Sequence, residues 1–255
     1  MSKLDDWASK IGYYNETEIN KVRLLVYGDT GSGKTTLAGT FPHPFFIDTD
    51  RGGRTLKAKH IPHIKLERGE RTYDTVMDIL RRLKEGTQPF DKLEVKTLVF
   101  DSVTSLADHL LCAIMLYPRK PGQLKRNPNL EKPEWDDYMV LQNQLKDIMT
   151  TAQDLDINIV GTCGEKLERD EVRGTFVGKP AIVGGYRDAI GYAFDEYYHM
   201  AVEGSGEKVK YVVHTVKHLY YTAKSRDGMP AKIEDPTHAK LFRAMEAADR
   251  KEAKE

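Results

Sequence analysis

The stretch GDTGSGKT, Gly28 to Thr35, constrains this chain more than any other feature. It fits the spacing G-x-x-x-x-G-K-[ST], with Gly28, Gly33, Lys34 and Thr35 at the fixed positions. Glycines let the backbone curl so tightly that the N–H groups of Asp29, Thr30, Gly31, Ser32 and Gly33 point inward at an anion. The preceding VRLLVY is a near-continuous apolar run, as expected of a strand buried on both faces. The following TTLAGTF reads as a short helix ending before Pro42, whose N-terminus adds partial positive charge. In such a setting Lys34 bridges the β- and γ-phosphates of a nucleoside triphosphate and the Thr35 hydroxyl ligates Mg²⁺. The expected cradle runs from Gly28 to Thr36, with ATP and Mg²⁺ as its ligands.

The rest of the chain suits a globular setting for that loop. Its 255 residues are 40% hydrophobic and 31% charged, enough for one large α/β domain with a real core. Lys plus Arg and Asp plus Glu both number 39, so net charge gives no argument for a polyanionic partner, and any basic surface must be local. Cys112 and Cys163 lie far apart, outside any metal or disulfide spacing. The first residues lack the apolar core of a signal peptide, and LLCAIMLY is too short to span a bilayer; a cytoplasmic protein is expected.

Strands are expected at FFID (Phe45 to Asp48), TLVFD (Thr97 to Asp101) and INIVGT (Ile157 to Thr162). Between them, Val76, Ile79, Leu80 and Leu83 mark a helix with Thr72 as its cap and Gly86 as its end. SVTSLADHLLCAIMLY marks another, and a further helix spans about Asp136 to Gln153. Residues 118–135 hold four prolines and five basic residues, so a long loop is expected there. A second irregular stretch follows Cys163 and leads into DEYYHMAVE; GSGE then turns into KVKYVVHTV. Thr237, after Pro236, caps a terminal helix. This βα alternation predicts an α/β fold: a mainly parallel sheet flanked by helices, with antiparallel edge strands.

Three carboxylates stand where chemistry at a γ-phosphate needs them. Asp101 closes an apolar strand, the position from which an aspartate holds Mg²⁺, usually through water, and Ser102 is placed to cap the next helix. Asp48 and Asp50 end the neighbouring strand, from which a base or water-orienting residue must reach in. The D-x-D before Gly52 and Gly53 is equally good chemistry for a solvated turn.

At this point the residues resemble a RecA-type ATPase. FIDTD resembles the strand that ends in the catalytic glutamate, with Asp50 at the glutamate's position. LVFDSVTSL resembles the RecA and KaiC metal-site strand, and NIVGTCGEK the strand whose end senses the γ-phosphate. GGYRDAIGYAFDEYYHM resembles the segment after RecA's second DNA loop, and YYTAKSRDGMP the K-x-R-x-G hairpin of RecA-like ATPases and DnaB-type helicases. The resemblance spans roughly residues 20–235, leaving 1–20 as an N-terminal extension and 21–255 as a RecA-like ATPase core with a C-terminal helix. A minimal core of this size is most similar to phage-encoded AAA_24-type nucleotide-binding proteins, including the RecA-like Sak single-strand annealing proteins. A phage origin would place it in the bacterial host cytoplasm.

The resemblance implies an ATPase, slow or DNA-stimulated, whose catalytic residues are Lys34, Asp50, Lys224 and Arg226. Arg226 stands as an arginine finger with Lys224 beside it, each reaching a neighbouring subunit's γ-phosphate, so a homo-oligomer, ring or filament, is implied. Single-stranded DNA is the implied partner, with a single-strand binding protein as a further one. Arg119, Lys120, Lys125 and Arg126 correspond to RecA's first DNA loop, and Arg169, Arg173 and Lys179 to its second, where Phe176 is placed to stack on a base. Acidic Glu131, Glu134, Asp170 and Glu171 dilute both stretches. Three departures stand out. Asp50 is a methylene shorter than glutamate, Gly164 occupies the sensor position with Glu165 and Lys166 beside it, and residues 1–20 show no strong polymerisation segment. The expected function is ATP-dependent single-strand annealing or recombination; alternatives are a KaiC-like regulatory ATPase assembling on protein partners and a small-molecule P-loop kinase.

Overall fold

The computed structural model describes residues 21–117, 132–226 and 228–252. The extension at residues 1–20 and the first candidate DNA loop, with Arg119, Lys120, Lys125 and Arg126, lie outside them. Ten strands and six α-helices alternate along the described chain. The first half holds β1 (Arg23–Tyr27), α1 (Lys34–Ala38), β2 (Pro44–Asp48), β3 (His63–Lys65), α2 (Thr72–Glu85), β4 (Thr97–Asp101) and α3 (Val103–Leu116). The second holds α4 (Trp135–Gln153), β5 (Asn158–Cys163), β6 (Glu165–Asp170), β7 (Thr175–Pro180), α5 (Tyr186–Ala189), β8 (Glu196–Glu203), β9 (Lys210–His214), β10 (Lys232–Glu234) and α6 (His238–Glu252).

Eight strands form one sheet in the order β10-β9-β8-β1-β5-β4-β2-β3. The pairs from β8 through β3 are all parallel, and β9 and β10 add antiparallel strands at one edge. This is the expected α/β core, a mainly parallel sheet with antiparallel edge strands, in which β5 separates the loop-bearing strand from the strand ending in Asp101. The register places Tyr27 opposite Cys163 and His199, and Asp48 opposite Asp101. Every functional strand end therefore lies along one rim, as crevices in open parallel sheets require.

Both faces of the sheet are covered, which explains the unbroken apolar runs. Leu25, Ile47, Leu98 and Phe100 face α2, α3 and α4; Leu24, Val26, Phe46 and Val99 face α1 and α6 through Leu37, Leu241 and Met245. Each such buried apolar side chain stabilises the fold by roughly 1.5–3 kcal/mol relative to exposure. Among the described residues no helix is long and apolar enough to cross a membrane.

Helix ends follow local chemistry with one correction. Ser102 accepts the Ser105 N–H at 3.2 Å, the cap its position predicts, and Lys240 N–H reaches the Thr237 hydroxyl at 3.3 Å. Gly86 closes α2 in the left-handed region at φ 62°. Thr72, expected as the cap of α2, is instead its first helical residue, with Arg71 at the cap and no side-chain bond there. The stretch after Cys163, expected to be irregular, forms the antiparallel hairpin β6–β7, a separate two-stranded sheet.

Candidate nucleotide site

The loop after β1 is held open by its glycines. Gly31 and Gly33 take φ values of 80° and 93°, which side-chain-bearing residues rarely adopt. Gly28 is glycine for a different reason: a Cβ there would lie 2.0 Å from the Met200 carbonyl oxygen on β8. Helix α1 is only five residues long, so its dipole is small, and the loop amides with Lys34 must supply most of the positive field.

Lys34 folds back into the loop. Its Nζ donates to the carbonyls of Gly28 at 2.9 Å and Asp29 at 2.7 Å, and reaches Ser32 Oγ at 3.3 Å. Burial lowers its pKa, opposed by the field of Cys163, Asp101, Asp29 and Asp50. An anion seated in the loop would exchange carbonyl contacts for a charge-assisted pair.

Thr35 and Asp101 meet directly: the hydroxyl lies 3.2 and 3.0 Å from the two carboxylate oxygens. Thr162, from the end of β5, donates to the same carboxylate. Asp101 is buried, and that desolvation raises its pKa; the Thr162 and Thr35 bonds oppose the shift, and nearby Asp50 and Asp48 add to it. A hydroxyl beside a carboxylate is a hard-oxygen donor pair, the chemistry that suits Mg²⁺. The Asp101–Ser102 peptide is cis.

Asp48 and Asp50 have different surroundings. Asp48 Oδ1 accepts the backbone N–H groups of Asp50 at 3.1 Å and Arg51 at 2.7 Å, and so organises the turn. Asp50 is exposed and accepts from Ser105 Oγ at 3.2 Å. The turn reading of the D-x-D sequence thus describes Asp48, while Asp50 stays exposed beside Ser105.

A cleft of about 810 Å³ joins these groups. At one end stand Asp50, Asp101, Ser105 and Thr162, and at the other Tyr211, Asp235 and Pro236. The Tyr211 ring lies against the loop, 3.1 Å from the place a Cβ on Gly33 would take. Thr162, Ser105 and Tyr211 carry no motif of their own. Their only sequence signal is position, one or two residues from a strand end or in the first turn after Asp101.

The other expected site residues lie elsewhere. Glu165, beside the sensor position, turns away to His199 Nε2 at 3.1 Å, and Lys166 is exposed. Lys224 Nζ donates to the carbonyls of Gly191 at 3.0 Å and Phe194 at 2.7 Å, and burial lowers its pKa with Arg226 adding to the effect. Arg226 is exposed and pairs with Asp195 at 2.8 Å, at the entry end of β8. The phosphate loop meets β8 at Met200, four residues further along that strand, or roughly 13 Å. On the hairpin, Lys179 pairs with Glu168 at 3.1 Å and Asp188 at 3.7 Å, and Arg173 with Asp170 at 3.9 Å; Arg169 and Phe176 are exposed.

The family model for the AAA domain AAA_24 matches residues 20–227, which contain the loop, all three carboxylates and the hairpin. The chain belongs to the AAA_24 family. No curated protein matches this AAA_24 chain. Among solved structures, a KaiC-like protein from the hyperthermophilic archaeon Pyrococcus horikoshii OT3 is similar over 84% of this chain and 89% of its own. The identity is 15% and the TM-score 0.46. The AAA_24 match ends at residue 227, so Asp235 and α6 lie beyond it while Arg226 falls within.

Proposed function

We propose that this AAA_24 domain binds and hydrolyses Mg-ATP, acts as an oligomer on single-stranded DNA, and serves strand annealing or recombination. The observation that carries the nucleotide part is the meeting of Lys34, Thr35 and Asp101 at one rim of the sheet, with Asp50 within reach of the same cleft. Thr35 and Asp101 would hold Mg²⁺, whose charge offsets that developing on the transferred phosphoryl group. The loop amides and Lys34 bind and orient the β- and γ-phosphates. Asp50, steadied by Ser105, orients the attacking water and accepts its proton. Asp50 is one methylene shorter than a glutamate, so turnover is slow.

Arg226 is favoured as a group supplied to a neighbour. It lies at the opposite end of β8 from the loop of its own subunit, and its guanidinium is 60% exposed. The DNA part draws on the hairpin that follows β5. Arg169 and Phe176 project there as a cation and an aromatic face, suited to a phosphate backbone and a base. Arg173 and Lys179 would have to exchange acidic partners for phosphates.

That same hairpin favours a second reading, a regulatory ATPase assembling on protein partners. Val172 is 95% exposed, Leu167 63% and Phe176 58%, an apolar display on a projecting ribbon. ATP turnover and fluorescent oligo-dT binding, measured together across salt, separate the two. Salt-sensitive binding with stimulated turnover supports the DNA reading; absent binding with retained turnover overturns it in favour of a protein partner.

A further inference from the structure

We propose a second anion site, behind the wall of the nucleotide cleft, that takes a small phosphorylated molecule. Residues 48–57 form that wall. Asp50, Gly52 and Thr55 line the nucleotide cleft, whereas Arg51, Gly53, Arg54 and Lys57 line a separate pocket of about 310 Å³ on the other side. Asp101 borders both. A pocket of this size suits a compact ligand of about one sugar phosphate or nucleotide.

Basic residues outnumber acidic ones in the pocket lining. Phe46, Leu56 and Ile61 give an apolar floor, and Arg54, Lys57 and Lys65 bring cations to its lining. None of those three cations has an acidic partner among the described residues, whereas Arg51 is paired with Glu67. Two carboxylates, Asp48 and Asp101, share the lining, but the basic residues Arg51, Arg54, Lys57 and Lys65 outnumber them, and both carboxylates already hold other hydrogen-bond partners. Asp48 is engaged by the Asp50 and Arg51 N–H groups, and Asp101 by the Thr35 and Thr162 hydroxyls. Basic side chains lining one concave surface concentrate field lines there and favour an anion. The chain as a whole is neutral, so this concentration is local.

Backbone conformation adds an independent sign. Arg51 and His60 bracket the 3₁₀ helix Gly53–Lys59 that carries Arg54 and Lys57, and both have left-handed φ values, 55° and 48°. Side-chain-bearing residues are rarely held there, and such positions cluster at ligand clamps and switches. The confinement of these basic residues to one small pocket with apolar lining favours a small ligand over a nucleic-acid strand, which is met by an extended basic stripe. Because Asp50 and Arg51 share the Asp48 carboxylate, a ligand that draws on Arg51 or Arg54 also bears on the position of Asp50.

The test uses the full chain saturated with Mg-AMPPNP, so that the phosphate loop is filled, and titrates ribose 5-phosphate by calorimetry. We expect one further equivalent to bind. In R54A/K57A, and separately in K65A on β3, binding weakens about tenfold or more while AMPPNP affinity stays within about twofold. Absence of binding, or equal binding to all three proteins, overturns the proposal. Displacement of ribose 5-phosphate by oligo-dT or by polyglutamate also overturns it, and assigns the pocket to a strand or an acidic peptide. If AMPPNP itself fails to bind, the nucleotide reading fails instead, and the same titration on the free protein still decides the pocket.

Discussion

The hydroxyl of Thr35 sits 3.0 and 3.2 Å from the two carboxylate oxygens of Asp101, joining the phosphate loop to the end of β4 across the strand between them. Thr162 completes the contact from that intervening strand, β5. The start of α1 and the ends of β4 and β5 thus fix one buried carboxylate whose ionisation is disfavoured until a cation arrives.

That carboxylate sets a trade between stability and function. Burial holds the Asp101 pKa above its ordinary range. A carboxyl whose pKa is higher folded than unfolded contributes stability below its unfolded value and loses it as pH rises through the folded one. The metal-free protein therefore loses stability as pH rises just above the usual aspartate range. In Asp101→Asn that slope disappears, the melting temperature at neutral pH without Mg²⁺ rises by roughly 2–5 °C, and Mg²⁺-dependent turnover is lost. Thermal melts across pH, with and without Mg²⁺, read this out.

Two glycines of the same loop should respond differently. At Gly28 a Cβ would sit 2.0 Å from the Met200 carbonyl, a backbone atom that cannot rotate away. Gly28→Ala should cost about 3 kcal/mol or more. At Gly31 nothing lies within 4 Å of a Cβ, so Gly31→Ala carries only the strain of φ 80°, about 1–2 kcal/mol. Urea titration of both variants checks the order.

Tyr27 ties the root of the loop to the hairpin. Its hydroxyl lies 2.7 Å from the Thr222 carbonyl and 3.0 Å from the Gly178 carbonyl, and it accepts the Thr222 N–H at 3.0 Å. Tyr27→Phe keeps the buried ring but strands these partners, so a loss of about 1–3 kcal/mol is expected. Hydrogen exchange at Thr222 and in β7 should accelerate in the variant while amides in β4 stay protected.

The phosphate loop, β4 and the Ser102 cap were legible in the sequence because each is decided locally. A buried strand leaves an apolar run, and a cap leaves a serine before a helix. The β6–β7 hairpin was not legible, because EKLERD and TFVGKP show no apolar alternation. They pair in a two-stranded sheet outside the main one, turning at Gly174 with φ 68°. Strands β3 and β10 are three-residue edge strands, too short to carry a period. Tyr211 and Asp235 meet at one end of the cleft from different elements, and the contact that brings them together, Asp235 N–H to the Tyr211 carbonyl at 2.6 Å, depends on the β9–β10 pairing.

For the proposed finger, subunit mixing is the decisive geometry. Arg226→Ala alone should lower turnover by about 10³-fold or more with little change in ATP affinity. Lys34→Ala alone is inactive because its loop has lost the lysine that orients the phosphates. Mixed, the two should recover activity, because a Lys34→Ala subunit still offers Arg226 to a neighbour with an intact loop. No recovery on mixing, or wild-type turnover in Arg226→Ala alone, would return Arg226 to its pairing with Asp195.

Everything rests on the loop from Gly28 to Thr36 holding the phosphates of ATP, so the most direct measurement is Mg-ATP binding by calorimetry to wild type and Lys34→Ala. We predict one equivalent bound to wild type and affinity weaker by about a hundredfold in Lys34→Ala, with an unchanged circular dichroism spectrum. Equal affinity in the two proteins, or no binding to wild type, would contradict it.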